Sequence, residues 1–427
     1  MADDTFIHTR RSVLRLGMLG AMAGLPALVE PARVRAAEPK ALEFTTFYTG
    51  ADGGIMQGIV NRYNQSQQGA RVNFSAPAWG ADYLTKLLTA SLAGNAPAVV
   101  ALHNYEIPAL ARFLYEIDYT ALGVRKENYV ENAWNLAVYE GKPYGLTMST
   151  GTLALVYNKE HFEKAGLDPA RPPTNGEQLI KAAQALTRDG RYGFARDSAG
   201  WMPWLTYNWQ AGGSLLSPDG KKALFDTAAA IEAAQFEQDL VHKHKAAIPT
   251  QVPSGDMTKL LYSGKVSMLY LGPWNLNALI KSNQENKTSF GWAKMPAVFD
   301  KKKAVMSTSH IYSLMKQKPE DRAARELGGK FIAWMLEEAS VTWAQAQAPT
   351  NKRVLDQMKK SDNPIVKNMT MWVEQAEYAH FPPYHPRWNQ AYRGLTEAME
   401  AITFQKADVK ATLREATARA NDILAQA

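Results

Sequence analysis

At 427 residues the chain is too long for one ordinary core, and two or three are expected. Its composition is globular, with 46% hydrophobic and 21% charged residues, and it has no repeat or low-complexity block; disordered, fibrous and solenoid classes are excluded. The formal net charge is +7 and there is no cysteine, which removes disulfides, Cys-ligated zinc, iron–sulfur clusters and thiol nucleophiles together.

Thr9-Arg10-Arg11-Ser12-Val13-Leu14-Arg15 has the form of a twin-arginine export motif, with Val where Phe is commonest. An apolar run from Leu16 to Val29 follows, too short to span a bilayer, and Val34-Arg35-Ala36 predicts cleavage after Ala36. A short amphipathic helix is the alternative for this segment. Residues 1–36 carry five Arg against Asp3, Asp4 and Glu30, so the remainder has a net charge of about +5. Its Lys and Arg are scattered over predicted helix faces. The one tight run, Lys301-Lys302-Lys303, follows Phe299-Asp300 and reads as a solvated loop tip. Without a basic groove interleaved with aromatics, no nucleic-acid partner is predicted. An export signal with no cysteine to carry a lipid and no other apolar span predicts a freely soluble exported protein, with a Gram-negative periplasm as the simplest location.

In chain order, Leu42 to Tyr48 alternates as a strand and ends at the flexible loop Thr49-Gly50-Ala51-Asp52-Gly53-Gly54. The following helix carries an apolar stripe of Ile55, Ile59, Val60 and Tyr63. A strand at Val72-Asn73-Phe74 leads through Pro77-Ala78-Trp79-Gly80 to a helix with Tyr83, Leu84, Leu87, Leu88 and Leu92 inward. Gly94-Asn95-Ala96-Pro97 stops it, and Ala98 to Leu102 is a buried strand. This alternation predicts an α/β sheet with ligand loops beyond the strand ends. Lys142-Pro143-Tyr144-Gly145 turns into a run of small hydroxyl residues, Thr147 to Thr152. That run is predicted as a hinge-like crossover before the strand Leu153 to Tyr157 and a short helix stopped by Ala165-Gly166. Gly176 to Leu186 reads as a helix with Leu179, Ile180, Ala183 and Leu186 inward, and Thr227 to His244 as a longer one. Between them lies an aromatic segment, Trp201 to Trp209. Lys265 to Leu271 is a strand ending at Gly272-Pro273-Trp274-Asn275. A strand at Ile311 to Met315 precedes a helix with Leu327, Phe331, Trp334 and Met335 inward. The end is helical, broken at Phe381 to Trp388.

No G-x-S-x-G, H-E-x-x-H, P-loop or G-x-G-x-x-G after a strand occurs. His242 and His244 stand two apart, so they do not share a helix face, and solvent exposure is expected there rather than a metal. No catalytic residue, metal or cofactor is predicted. The loops instead offer rings and amides at strand ends: Tyr48, Trp79, His103, Asn104, Trp201, Trp204, Trp274, Tyr384 and Trp388. A sugar has an apolar C–H face, held by stacking on Trp or Tyr, and a girdle of hydroxyls, held by in-plane polar side chains. For any single Trp, core packing is the alternative; for a set placed on loops beside Pro and Gly, ligand stacking gains ground. Trp274 is the foremost candidate.

Four stretches together resemble the extracellular solute-binding proteins of sugar ABC importers, the group that includes maltose-binding protein. The first runs from Tyr139-Glu140-Gly141-Lys142-Pro143-Tyr144-Gly145 through Leu155-Val156-Tyr157-Asn158-Lys159 to Ala165-Gly166-Leu167-Asp168-Pro169. The second is Ser263-Gly264-Lys265-Val266-Ser267-Met268 into Gly272-Pro273-Trp274. The others are Thr49-Gly50-Ala51-Asp52-Gly53, and Phe331-Ile332-Ala333-Trp334-Met335 on to Ala348-Pro349-Thr350-Asn351-Lys352-Arg353. The resemblance implies a two-lobe α/β binding fold of type II, with the ligand in the cleft between lobes and hinge crossings near 146–150, 303–307 and 350–353. On that pattern residues 1–36 are the signal peptide, 37–147 with 304–352 the N-terminal lobe, and 148–303 with 353–427 the C-terminal lobe. The implied ligand-binding residues are Tyr48, Asp52, Trp79, His103, Asn104, Thr150, Gly151, Thr152, Trp201, Trp204, Trp274 and Arg387. The implied partners are a sugar or sugar derivative and the transmembrane subunits of an ABC permease, with the protein itself a monomer. Gly151 departs from the family pattern, which often places a gripping glutamate there; it leaves a hydroxyl-rimmed wall with room for a differently shaped ring. Two alternatives stay open at this point. One is an exported carbohydrate-active enzyme. The other is the same binding fold for a polyol, a glycerol phosphate ester or a sulfonated or other anionic glycoside.

Overall fold

The computed structural model of the protein describes residues 38–77, 81–196, 202–286 and 288–426. The twin-arginine segment, Trp79 and Trp201 lie outside the described residues.

Two sheets organise the chain. The strands are β1 (Lys40–Thr45), β2 (Ala70–Ser75), β3 (Val99–His103), the small hairpin β4 (Val138–Tyr139) and β5 (Lys142–Pro143), β6 (Leu146–Thr152) and β7 (Ala154–Asn158). They continue with β8 (Tyr192–Ala195), β9 (Val266–Leu271), β10 (Phe290–Lys294), β11 (Val305–Leu314), β12 (Ala348–Pro349) and β13 (Ala379–His380). The first sheet has the order β12-β6-β11-β3-β1-β2, with β13 added beside β11; the second has the order β10-β7-β9-β8. β1 runs parallel to β2 and β3, whereas β11 runs antiparallel to both β3 and β6. The predicted α/β class holds, and the sheets are mixed rather than purely parallel.

β6 and β7 are almost one strand. β6 belongs to the first sheet, β7 to the second, and the buried Leu153 alone separates them. The hydroxyl run Thr147–Thr152 is expected as a hinge-like crossover, but every residue of β6 is buried and all but Met148 are paired with β11. The physical reason is that β11 on one side and β12 on the other supply its backbone partners, so the small, partly β-branched side chains sit on a pleated surface. Met148 is an extra residue in this ladder: His310 opposes Ser149 while Ile311 opposes Thr147. Such a bulge re-aims the side chains on either side of it.

Helices form where their caps and stripes predict them. Asn175 accepts from the backbone of Gln178 to start Gly176–Leu186, and Thr227 does the same for Ala228–His242. The first sheet is packed by Phe44, Phe331, Ile59, Val60 and their neighbours; Phe331 meets Phe44 with ring centroids 5.2 Å apart and Tyr63 at 4.8 Å. Two expectations fail on this scale. Leu92, expected inward, is 67% exposed in the last turn of the helix Ala81–Ala93. His242, expected in solvent, is half-buried, with Nε2 3.0 Å from the Thr403 carbonyl oxygen.

The aromatic segment changes meaning most. Residues Met202–Gln210 are a helix buried along its whole length, not a loop carrying ligand rings. Thr206 accepts from the Met306 backbone at 2.9 Å, and Gln210 donates to the carbonyls of Pro296 and Ala304 at 3.2 and 3.1 Å. The helix therefore braces the chain as it passes from β10 in the second sheet to β11 in the first.

Candidate functional site

The two sheets meet at β6, and four residues from distant parts of the chain converge there. Asp52 stands in the first turn of the helix Gly50–Ser66, where the helix N-terminus favours an acid. It is only 7% exposed, and burial pushes its carboxyl up to about 7 against the pull of one hydrogen bond. That bond comes from Gln347, whose Nε2 donates to Asp52 Oδ2 at 2.8 Å. Gln347, 1% exposed, sits just before β12, and its Oε1 has no hydrogen-bond partner among the described residues.

Gly151 on β6 is the meeting point. A Cβ there would lie 3.2 Å from Gln347 Oε1, 3.4 Å from Cζ3 of Trp274 and 3.5 Å from Cγ of Pro273. Trp274 belongs to the short turn Pro273–Asn275 at the end of β9, in the second sheet. Its ring folds back over Gly272, where a Cβ would stand 2.1 Å from Cζ3, so only glycine permits the pose. Trp274 stays half-buried while Gly272 and Pro273 before it are buried.

Beside this wall runs a polar and aromatic floor. Trp343 Nε1 donates to Ser149 Oγ at 3.0 Å, and Ser149 Oγ lies 3.3 Å from His310 Nδ1. Burial, with His103 nearby, holds His310 well below the ordinary histidine range, so its ring is neutral and Nδ1 can accept from Ser149. Tyr48 donates to the Tyr312 hydroxyl at 3.2 Å, and Phe47 stacks on His103 at 4.3 Å. Asn104, fully buried at the end of β3, accepts from the Ser309 backbone at 3.3 Å. On the opposite flank the Tyr384 hydroxyl donates to the Leu136 carbonyl at 2.5 Å, tying the break after β13 to the turn before β4.

Tyr48, Asp52, His103, Asn104, Thr150, Gly151 and Trp274 thus fall in one neighbourhood around β6, β11 and the loop after β1. Thr152 is beside them, but its hydroxyl is engaged by Gln375 Nε2 at 3.1 Å. Two expected residues lie elsewhere. Trp204 is completely buried, with Nε1 donating to the Ala230 carbonyl at 3.1 Å and its ring edge-on to Phe225; it is core. Arg387 donates to Gln390 Oε1 at 3.1 Å and to the Gln426 carbonyl at 3.2 Å, so its guanidinium is turned onto the C-terminal end of the chain. Trp388 is core as well, packed on Phe225 and Tyr392. Ser149 lies inside the hydroxyl run already singled out; the residues missed from the sequence are Gln347, His310, Tyr312 and Trp343. No local motif marks them; they matter because strand order places them beside residues far away in sequence.

Comparison with known proteins places this geometry. Residues 49–342 match the bacterial extracellular solute-binding protein model. A putative binding protein of Brucella abortus is 25% identical over 96% of this chain and 99% of its own length. The ABC substrate-binding protein of Listeria monocytogenes solved with cycloalternan superposes with a TM-score of 0.78 at 20% identity, covering 91% of this chain and 99% of that one. The UgpB protein of Mycobacterium tuberculosis, solved with glycerophosphocholine, gives 0.78 at 19% identity over 90% and 98%. Both structures carry the two-lobe binding fold, and so does this protein. With more than half its length matched, the chain belongs to the bacterial extracellular solute-binding protein family.

Proposed function

We propose that this protein is the substrate-binding component of an ABC importer, and that it captures a sugar or sugar derivative in the periplasm by closing two lobes on it and delivers it to the permease. Export by the twin-arginine route, cleavage after Ala36, action as a monomer and the lobe boundaries 37–147 with 304–352 and 148–303 with 353–427 belong to the same proposal. One observation carries it: Asp52 in the helix after β1, Gln347 just before β12 and Trp274 in the turn after β9 converge on Gly151, so elements attached to both sheets meet there. A ring ligand gripped there touches both sides at once, and contacts made with both lobes are what drive closure.

The chemistry of the wall favours a neutral polyhydroxyl ligand over an anion. Among the described residues the one buried Arg or Lys is Arg196, and it is tied to Glu237. The buried polar groups around Gly151 are hydroxyls, amides, a neutral histidine and a carboxyl, all suited to sugar hydroxyls and none a counter-charge for phosphate or sulfonate. The binding partner of the Mycobacterium relative, glycerophosphocholine, is the natural competitor in a test.

A thermal-shift panel of neutral di- and oligosaccharides, polyols, glycerophosphocholine and acidic glycosides tests the proposal. A neutral sugar at 100 times its Kd stabilises by about 2.7 kcal/mol, well within range of the measurement. A shift with the phosphodiester or an acidic glycoside alone contradicts the neutral-ligand reading, and release of a cleaved product contradicts the binding-protein reading.

A further inference from the structure

We propose that Gln347 sets the specificity of this site, reading one hydroxyl of the bound ring as a hydrogen-bond donor, with Asp52 as the residue that orients it. The proposal rests on the sugar-binding function above and adds a recognition rule to it.

Gln347 lies in the turn between the helix Ser340–Trp343 and β12, with Ala348 paired to Thr150 and so one step from Gly151. Its side chain is buried, and its two polar ends are treated differently. The amide nitrogen is held by Asp52 at 2.8 Å. The amide oxygen is left without a partner and lies on the Gly151 side, within 3.2 Å of where a Cβ would stand. Above about pH 7 the Asp52 carboxyl is ionised and can only accept, so the end of the amide that it then holds must be the nitrogen. The end facing Gly151 and Trp274 is then an acceptor. A buried acceptor with no donor carries a desolvation penalty, which a ligand hydroxyl at that point would relieve.

Gly151 is what keeps the acceptor usable. Any larger side chain would crowd Gln347 Oε1 and the Trp274 ring together. The polar contact beside Gly151 is therefore supplied from the turn before β12, by an amide with a fixed polarity. Because the hydroxyl must donate, a ring that presents only an acceptor there should be rejected. Sites built to hydrogen-bond a particular hydroxyl discriminate strongly against analogues that lack it, since their own polar groups are left unpaired.

The test uses the full-length exported protein with maltose, trehalose and α-1,5-arabinobiose as probes, titrated by calorimetry into the wild type and Gln347→Met. The Met side chain keeps the volume and removes both the acceptor and the amide donor to Asp52, so the sugar analogues below isolate the acceptor. The expected result is binding weakened about ten- to a hundredfold in Gln347→Met, with the ligand-free unfolding temperature within a few degrees of wild type. A second measurement needs no variant: the monodeoxy and monodeoxyfluoro forms of the tightest probe are titrated into the wild type. Fluorine can accept but not donate, so at one ring position the deoxyfluoro sugar should lose as much affinity as the deoxy sugar, and that loss should vanish in Gln347→Met. Affinity in Gln347→Met within about twofold of wild type overturns the proposal, as does recovery of affinity by fluorine at every position. If no neutral sugar of the thermal-shift panel, these three included, binds the wild type, the sugar-binding function falls and this rule with it.

Discussion

Of the three carboxylates buried among the described residues, Asp52, Glu106 and Glu237, the first and the last differ in a way that separates architecture from recognition. Glu237, in the helix Ala228–His242, is 3% exposed and held by the Arg196 guanidinium at 2.5 Å, with Thr403 beside it. Burial pushes its pKa up, while the Arg196 guanidinium pulls it back down. Asp52 is similarly enclosed but has a neutral partner, the Gln347 amide, and burial alone prevails, leaving its carboxyl near 7. A buried charge matched by an opposite charge is a fixed part of a core. A buried carboxyl matched by an amide that still has a free oxygen is part of a surface built to meet something else.

Breaking the first pair should have the largest effect. Arg196→Met leaves Glu237 buried without its counter-charge, and loss of one partner from such a pair typically costs 3–5 kcal/mol, or about that here. Urea denaturation should show a lower midpoint with an unchanged slope, while sugar affinity of the folded fraction is retained. A midpoint equal to wild type would mean that Glu237 is neutral or solvated.

The second carboxylate is probed through pH. Its folded value is raised from 3.8 to about 7, so the native state binds a proton that the unfolded state has released across that window. Stability contributed by this group is fully present below pH 4 and is lost as pH rises through 7, by at most about 4 kcal/mol. Asp52→Asn cannot titrate. Its unfolding temperature relative to wild type should therefore climb between pH 5 and pH 8. A constant difference across that range would place the ionised carboxylate in a solvated environment. Neighbouring Tyr48 and Tyr312 are held far above the working range by burial and stay neutral throughout.

The smallest effect on the fold, and the most selective for binding, belongs to Trp274→Ala. The ring is half-buried and packs over Gly272 and Gly151, so its loss should weaken sugar binding at least about tenfold, roughly 1.4 kcal/mol, with the two cores intact. Calorimetry at unchanged affinity would remove Trp274 from the site.

How much of this was legible in the sequence depends on the distance over which a signal acts. Short-range signals were read well: the apolar face of Gly176–Leu186, and the stop at Gly166 with its positive φ of 74°. Trp274 between Gly272 and Asn275 was legible for the same reason, since turn chemistry is local. Where rings cluster, local reading failed. Trp204 and Trp388 stand next to Pro and polar residues, as ligand-stacking rings do, yet tertiary packing encloses both. The hydroxyl run Thr147–Thr152 was read as a hinge-like crossover and is a buried strand, because its ladder partners come from residues 305–314 and 348–349. Gln347 was out of reach altogether. Its neighbours are residues 52 and 151, and only the strand order β12-β6-β11 brings them to it.

The central claim, that one ligand bridges the two lobes at Gly151, is tested most directly by small-angle scattering of the protein with and without its best sugar. A bridging ligand predicts that the radius of gyration falls on saturation in the wild type and does not fall at the same sugar concentration in Trp274→Ala. A radius unchanged by a sugar that calorimetry shows to be bound would contradict it.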